Sequence, residues 1–262
     1  MPGEIVRELL TSLKNRVSNL KNLRVIDVRI GLCYTGVMLD DGNAGVCHTL
    51  SSELFCCRRI ERAGKLAGSP ALELIELANS WRLGEAVIGV ATINALSQVV
   101  LENEAERYSF VEDVDCIDQI EIGMDDTVVL VGYIRPFISK IRGRAKNLYI
   151  LERNRGVEEK DVLPDTACGD IVPTADVVII TGTAIINGSV DRLLELSKNA
   201  REICLVGPTA SMIPDPLFKR GATIIGGVKA TNAQRLLQII SEGGGVPQLK
   251  EAYKQIVIRP KR

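Results

Sequence analysis

The chain has 262 residues, 46% hydrophobic and 25% charged, and 32 basic against 33 acidic side chains leave a formal net charge of −1. That balance gives no global attraction to nucleic acid or to an anionic membrane, so neither is expected as a partner. The length is generous for one compact domain and comfortable for two. Seven cysteines without a CxxC pair or regular spacing read as reduced thiols of a cytoplasmic protein, not as a secreted disulfide framework. The stretch from Met1 to Arg7 has no basic flank leading into an apolar core, and no uncharged apolar run is expected to supply the roughly 18 residues of a membrane helix.

From Glu4 to about Lys21, apolar residues recur at three- and four-residue steps (Ile5, Leu9, Leu10, Leu13, Val17, Leu20), which predicts an amphipathic helix. Residues 23–30 and 32–39 are rich in β-branched side chains. Asp40-Asp41-Gly42-Asn43 is a tight-turn sequence leading into 46–50, so an antiparallel meander follows. Ser69-Pro70 is expected to cap a helix over 71–79, and a second helix is expected over about 84–101. That second helix is apolar almost all round and therefore buried. Asn94 is its odd member, because a buried amide needs partners, either backbone groups or a ligand at a domain junction. The charged break Glu102-Asn103-Glu104-Ala105-Glu106-Arg107 divides the chain into a first domain over 1–106 and a second over 107–262.

Beyond Asp125 strands and helices alternate: strands at 127–131, 147–151, 176–180, 202–206 and 222–226, with helices near 136–143, 189–198, 214–219 and 230–241. Such alternation builds a mostly parallel sheet covered on both faces. Between Glu152 and Ala175 no convincing helix is expected, and residues 163–173 read as a functional loop.

Three strand ends open into small-residue loops. They are Gly132-Tyr133, the stretch from Thr181-Gly182-Thr183 to Asn187-Gly188, and Gly207-Pro208-Thr209. Loops on the carboxyl edge of an open α/β sheet hold ligands. Thr181, Thr183 and Asn187 offer hydroxyls and an amide, and the glycines are expected to free backbone donors for an anion. The plainer reading makes Thr183 and Ser189 caps and Asn187 a turn former. Gly226-Gly227 is a further permissive strand end, equally readable as a plain turn.

Glu152 stands 20 residues after Gly132 at the end of the next strand, where Rossmann proteins place a ribose-binding acid. The dinucleotide fingerprint itself fails, because Ile134 and Phe137 occupy the positions of its second and third glycines. Lys140, Arg142, Arg144 and Lys146 read as a solvated face at a helix C-terminus. His48 is the single histidine and no GxSxG elbow is present, so serine–histidine chemistry is not expected. Cys47-His48 and Cys56-Cys57 carry soft ligand atoms, but neighbours along a strand point to opposite faces and do not easily share one ion. Glu152, Asp165 and Asp170 suit either a hard cation or proton transfer, and spacing does not choose between them.

The meander with Leu39-Asp40-Asp41-Gly42, the helix with Ile93-Asn94-Ala95, Thr181-Gly182-Thr183 with Asn187-Gly188-Ser189, Gly207-Pro208-Thr209 and Gly226-Gly227 together resemble the heavy-metal chelation domain family, whose activity is uncharacterised. The resemblance covers nearly the whole chain. It implies an α+β first domain like the N-terminal domain of enolase, a Rossmann-like second domain, and a cleft between them. It carries over no enolase machinery, which resides mainly in a barrel that this chain lacks.

On that resemblance the cleft would bind with Asn94, Gly132, Thr181, Gly182, Thr183, Asn187, Gly207, Pro208, Thr209 and Gly227. Glu152 and Asp170 would transfer protons in condensation or hydrolysis of a pterin-, flavin- or siderophore-like metabolite. The alternatives are a non-catalytic protein that binds a metal or metallophore and an S-adenosylmethionine-dependent methyltransferase-like protein. The implied cofactor is a divalent or transition metal ion, and a homo-oligomer is an expected form.

Overall fold

A computed structural model of the chain describes residues 3–53, 60–154, 156–157 and 159–261. Helix α1 (Glu4–Arg16) leads into β1 (Val25–Ile30), β2 (Tyr34–Leu39) and β3 (Ala44–His48). Helix α2 (Ala71–Leu74) runs on as a 3-10 turn to Asn79, and α3 (Leu83–Asn103) follows. The chain continues through β4 (Tyr108–Glu112), β5 (Thr127–Val131), α4 (Arg135–Ile141), β6 (Asn147–Glu152), β7 (Val162–Pro164), α5 (Cys168–Ile171) and β8 (Val177–Thr181). It ends with α6 (Thr183–Ile186), α7 (Val190–Leu196), β9 (Glu202–Val206), α8 (Asp215–Phe218), β10 (Ile224–Ala230), α9 (Ala233–Ser241), α10 (Val246–Leu249) and β11 (Tyr253–Pro260).

Among the described residues two sheets form. The first is the antiparallel meander β1-β2-β3. The second has the order β4-β11-β10-β9-β8-β5-β6-β7, parallel from β10 to β7 and antiparallel where β11 and β4 close its edge. This is the expected α/β class, a meander with helices followed by a mostly parallel sheet.

The differences from expectation are local and have physical reasons. Ser69 does not cap α2: its hydroxyl donates to Lys65 O, and Pro70 itself stands at the cap position. Residues 183–186, expected as loop, form α6, because Ala184, Ile185 and Ile186 are buried and the turn packs against α3. The stretch 163–173 carries β7 and α5 instead of a bare loop. Strands β4 and β11 were not foreseen. β4 is a partly exposed edge strand, and β11 returns antiparallel beside β10 after the last helix.

The core reads directly from the apolar periodicity. Helix α1 buries Ile5, Val6, Leu9, Leu10 and Leu13. Gly3 offers its N-terminus no side chain, and Asp191 of α7 takes the cap role by accepting from Ile5 N at 3.1 Å. The meander is covered on one face by α3 and on the other by α9, so an element near the end of the chain completes the first sheet. Of the expected basic face at 140–146, Lys140 pairs at the surface with Asp115 and Asp118, and Arg142 with Glu159 and Asp161.

Helix α3 carries 16 consecutive uncharged residues, Ala86 to Leu101, short of an uncharged run of roughly 18. It is long and apolar enough by length and composition to cross a membrane, yet 78% of its most apolar window is buried inside the protein. One stripe of it is polar. Asn94 Nδ2 donates to Val46 O at 2.8 Å and Thr209 O at 3.0 Å, Ser97 Oγ accepts from Ile213 N at 3.1 Å, and Gln98 Nε2 donates to Ser211 O at 3.4 Å. Positions three and four apart share one helix face, so these side chains form a single row against the segment 208–213.

On its meander side α3 lies against Gly45 of β3. A methyl group there would stand 2.1 Å from Ala91 O and 2.2 Å from Ala95 N, both helix backbone that cannot swing away. Gly45→Ala is therefore expected to destabilise the protein by at least ~2 kcal/mol in urea unfolding. A loss below ~0.5 kcal/mol would mean that helix and sheet are less tightly seated than this contact requires.

Candidate functional site

The parallel sheet changes direction at β5. From there β6 and β7 extend to one side, while β8, β9 and β10 extend to the other. The two connections leaving the carboxyl ends of β5 and β8 diverge at this switch point, and the crevice between them is where open α/β sheets take ligands. A cavity of about 910 Å³ lies there. The end of the meander forms its other wall, with Tyr34, His48, Leu50, Ser52 and Glu53 facing the strand-end loops.

Gly132, Glu152, Thr181, Gly182, Thr183, Asn187, Gly207, Pro208 and Thr209 all line this cavity. Three predicted residues do not. Asn94 is fully buried beneath the floor, where it holds Val46 and Thr209 by their carbonyls. Gly227 packs against Ser211, away from the cavity wall. Asp170 is exposed on α5 and does not line the cavity, whereas Asp165 does.

The glycine loops work differently from the expectation. Their amides are not free for an anion: Gly132 N donates to Leu151 O, Gly182 N to Val206 O and Gly207 N to Gly226 O, at 2.8, 2.8 and 2.9 Å. Each extends the sheet's hydrogen bonding by one more step before the chain turns. Gly132 is required twice over, since its φ is +98° and a methyl group would meet Thr181 Cγ2 at 2.9 Å. These three amides are therefore not available to a ligand.

Glu152 is held as part of the architecture. Its Oε2 accepts from Tyr133 N and its Oε1 from Asn154 N, both at 2.7 Å, so the carboxylate ties the Gly132 loop to the end of β6. Each oxygen keeps a further lone pair for a ligand hydroxyl. Thr181 and Thr183 hydroxyls bond each other at 3.1 Å, and Asn187 Oδ1 accepts from both Ser189 N and Ser189 Oγ. Asn187 is thus a turn former, as the plainer reading had it. Arg153 spans the two walls, with Nη1 3.1 Å from Glu53 Oε2 and Nε 3.1 Å from Asp165 Oδ2.

His48, which the sequence does not mark for catalysis, is the ionisable side chain at the end of β3 that lines the cleft. Its backbone N–H donates to Thr209 Oγ1 at 3.0 Å, its Nδ1 accepts from Leu50 N at 3.1 Å, and its ring meets Tyr34 edge-on with centroids 5.4 Å apart. Burial lowers its pKa below the usual imidazole value. Nothing in the sequence shows this, because Thr209 is 161 residues away.

A family model described as "Putative heavy-metal chelation" (DUF364) matches residues 115–259, and a second model with the same description (DUF4213) matches residues 13–97. The chain belongs to this family. An uncharacterized protein of Methanocaldococcus jannaschii is 29% identical over 257 residues, covering 94% of this chain and 96% of that protein. The crystal structure of a DUF364-family protein of unknown function from Pyrococcus horikoshii superposes with a TM-score of 0.81 at 26% identity, covering 96% of this chain and 99% of that one. A second such protein, from Desulfitobacterium hafniense, has a TM-score of 0.80 at 24% identity over 99% of this chain and 100% of its own, and shares the fold.

The family description raises the question of whether side chains here could hold a metal. Among the described residues no group of three or more His, Cys, Asp or Glu side chains converges. Cys47 is fully buried, and burial pushes its thiol far up, so it is a neutral thiol and not a thiolate ligand. Glu53 and Asp165 are both engaged by Arg153. Cys56 and Cys57 lie outside the described residues. The described side chains do not fit a metal held by protein ligands alone.

The burial of His48 has a consequence for stability. The unfolded chain titrates its imidazole near 6.5, and the folded state resists protonation until lower pH, so the unfolded state binds the proton first. Stability contributed by neutral His48 is complete above that value and is lost as pH falls below it. The stability difference between wild type and His48→Gln is expected to shrink on acidification from about pH 7.5 to about pH 5. A pH-independent difference in chemical denaturation would show that the imidazole is not shielded.

Proposed function

We propose that the cleft binds and processes a small hydroxylated planar metabolite, related to pterins, flavins or siderophores, and that any metal enters as part of the metabolite's own chelate. The observation that carries this reading is the cavity of about 910 Å³ between the meander and the strand ends. Its volume is of the order that drug-sized ligands fill, and its lining combines apolar walls with a few placed polar groups. Val131, Leu151, Val206, Pro208 and Tyr34 offer faces to a planar ring, while Glu152 and His48 offer an acceptor and a donor.

A metal carried as cargo also reconciles the family description with a donor set that does not coordinate. Condensation or hydrolysis in the cleft would draw its proton carriers from the His48, Glu152 and Asp165 side chains on its walls. Glu152 at the end of β6 would also suit a ribose diol, which keeps an S-adenosylmethionine-like ligand as a second reading. Free thiols at Cys33, Cys47, Cys116, Cys168 and Cys204 support action in a reducing compartment, hence in the cytoplasm.

Thermal-shift measurements should separate these readings. The panel is lumazine, riboflavin, S-adenosylmethionine, 2,3-dihydroxybenzoate with and without Fe(III), and Fe(III) or Zn(II) salts alone. A ligand at a hundredfold excess over its Kd stabilises by ~2.7 kcal/mol, which raises Tm by several degrees. The expected pattern is a rise with at least one heterocycle or chelate, diminished in Glu152→Gln. Stabilisation by the metal salts alone, or by none of the panel, would sink the proposal.

A further inference from the structure

The corner after β3 is built around one imidazole. Thr49, the residue after His48, is buried, donates its backbone N–H to Cys33 O at 2.9 Å, and bonds the Thr35 hydroxyl at 3.1 Å. Leu50 then adopts φ +52°, a left-handed conformation that costs a residue with a Cβ ~1–2 kcal/mol. Among the described residues only Asp113 shares this feature. The left-handed turn brings Leu50 N–H back onto His48 Nδ1 at 3.1 Å. A strained backbone persists where its surroundings over-determine it, and such sites cluster where ligands are held.

The rest of the ring is fixed with equal care. Tyr34 meets it edge-on at an interplanar angle of 79°, and Thr209 anchors its backbone from the opposite wall of the cleft. A nitrogen that accepts a backbone N–H carries no proton, so the proton of the neutral ring must sit on Nε2. Nε2 is the ring nitrogen without a protein partner among the described residues, and His48 lines the cavity.

We infer that His48 is a specificity-determining residue of the cleft: a neutral imidazole locked with its proton on Nε2, it donates one fixed hydrogen bond to a ligand carbonyl, enolate or phenolate oxygen. The inference rests on the cleft being the ligand site. It gives the left-handed turn at Leu50 a role in the site beside the burial of that side chain in the core. It also gives the cleft a selective element, because a site built to donate at one point rejects a ligand that lacks an acceptor there. The burial that lowers the imidazole's pKa keeps the donor neutral near physiological pH.

A single histidine makes the test clean. Long-range 1H–15N correlation spectra of the full chain labelled with 15N-histidine should show Nδ1 as the unprotonated nitrogen and Nε2 as the protonated one. Leu50→Gly, which keeps the N–H and accepts the left-handed turn, should preserve that pattern. Lumazine, which presents carbonyl acceptors, should shift the Nε2 resonance and leave Nδ1 nearly unmoved, and His48→Phe should weaken its binding about tenfold. A proton on Nδ1, averaged tautomers like those of free imidazole, or lumazine binding undiminished in His48→Phe would overturn the inference. Lumazine failing to bind the wild type would count against the cleft as a pteridine site, and the ligand-free spectrum would still decide how His48 is held.

Discussion

The structure depends on three polar side chains of a long, largely apolar helix. Asn94, Ser97 and Gln98 form the one hydrogen-bonding row of α3, and all three engage the segment that follows β9. That segment contains Thr209, which in turn receives the backbone N–H of His48. A loop at a sheet edge would ordinarily run free over the surface. Here it is bolted to the central helix of the other half, and both walls of the cleft are referenced to it. The row is costly to disturb because buried carbonyls at Val46 and Thr209 lose their donors if Asn94 is removed. Asn94 Oδ1 finds no partner among the described residues, so the amide is present for what its nitrogen donates.

From that anchor the chemistry of the cleft follows. The strand-end glycines spend their amides on the sheet, and Glu152 spends two lone pairs on the loops beside it. These parts of the crevice backbone are thus tied to the sheet and to Glu152. On the proposed reading, an apolar floor, one carboxylate with spare lone pairs and one histidine with a spare N–H would meet a ring bearing hydroxyl and carbonyl groups. The ion pairs of Arg153 with Glu53 and Asp165 join the two walls at partly exposed positions, where such pairs contribute little energy but fix geometry.

Much of this was legible in the sequence. Apolar runs such as Val177-Val178-Ile179-Ile180, each closed by a small-residue loop, identify parallel strands because a strand buried on both faces needs no polar alternation. The all-round apolarity of α3 identifies a buried helix, and Asn94 within it is visibly out of place. What it binds is not visible, since its acceptors lie 48 and 115 residues away. The spacing from Gly132 to Glu152 locates the acid at a strand end, but not the two amides that occupy it. His48 is hardest of all. A histidine closing a strand gives no local signal, and its role arises from a turn at Leu50 and a hydroxyl contributed by the other half of the chain. Strands β4 and β11 escaped because Ser109, Lys254 and Gln255 dilute their apolar pattern, and antiparallel edges follow no βαβ rhythm.

The most direct test of the anchoring row is native-state hydrogen exchange on the ligand-free protein. Ala210 N–H donates to Gly207 O and Ile213 N–H to Ser97 Oγ, and both belong to a segment that resembles an exposed loop by composition. If α3 holds that segment, these amides will exchange as slowly as those in the middle of α3 and open together with it. Exchange of Ala210 and Ile213 at the rates of free loops, with α3 still protected, would contradict the account.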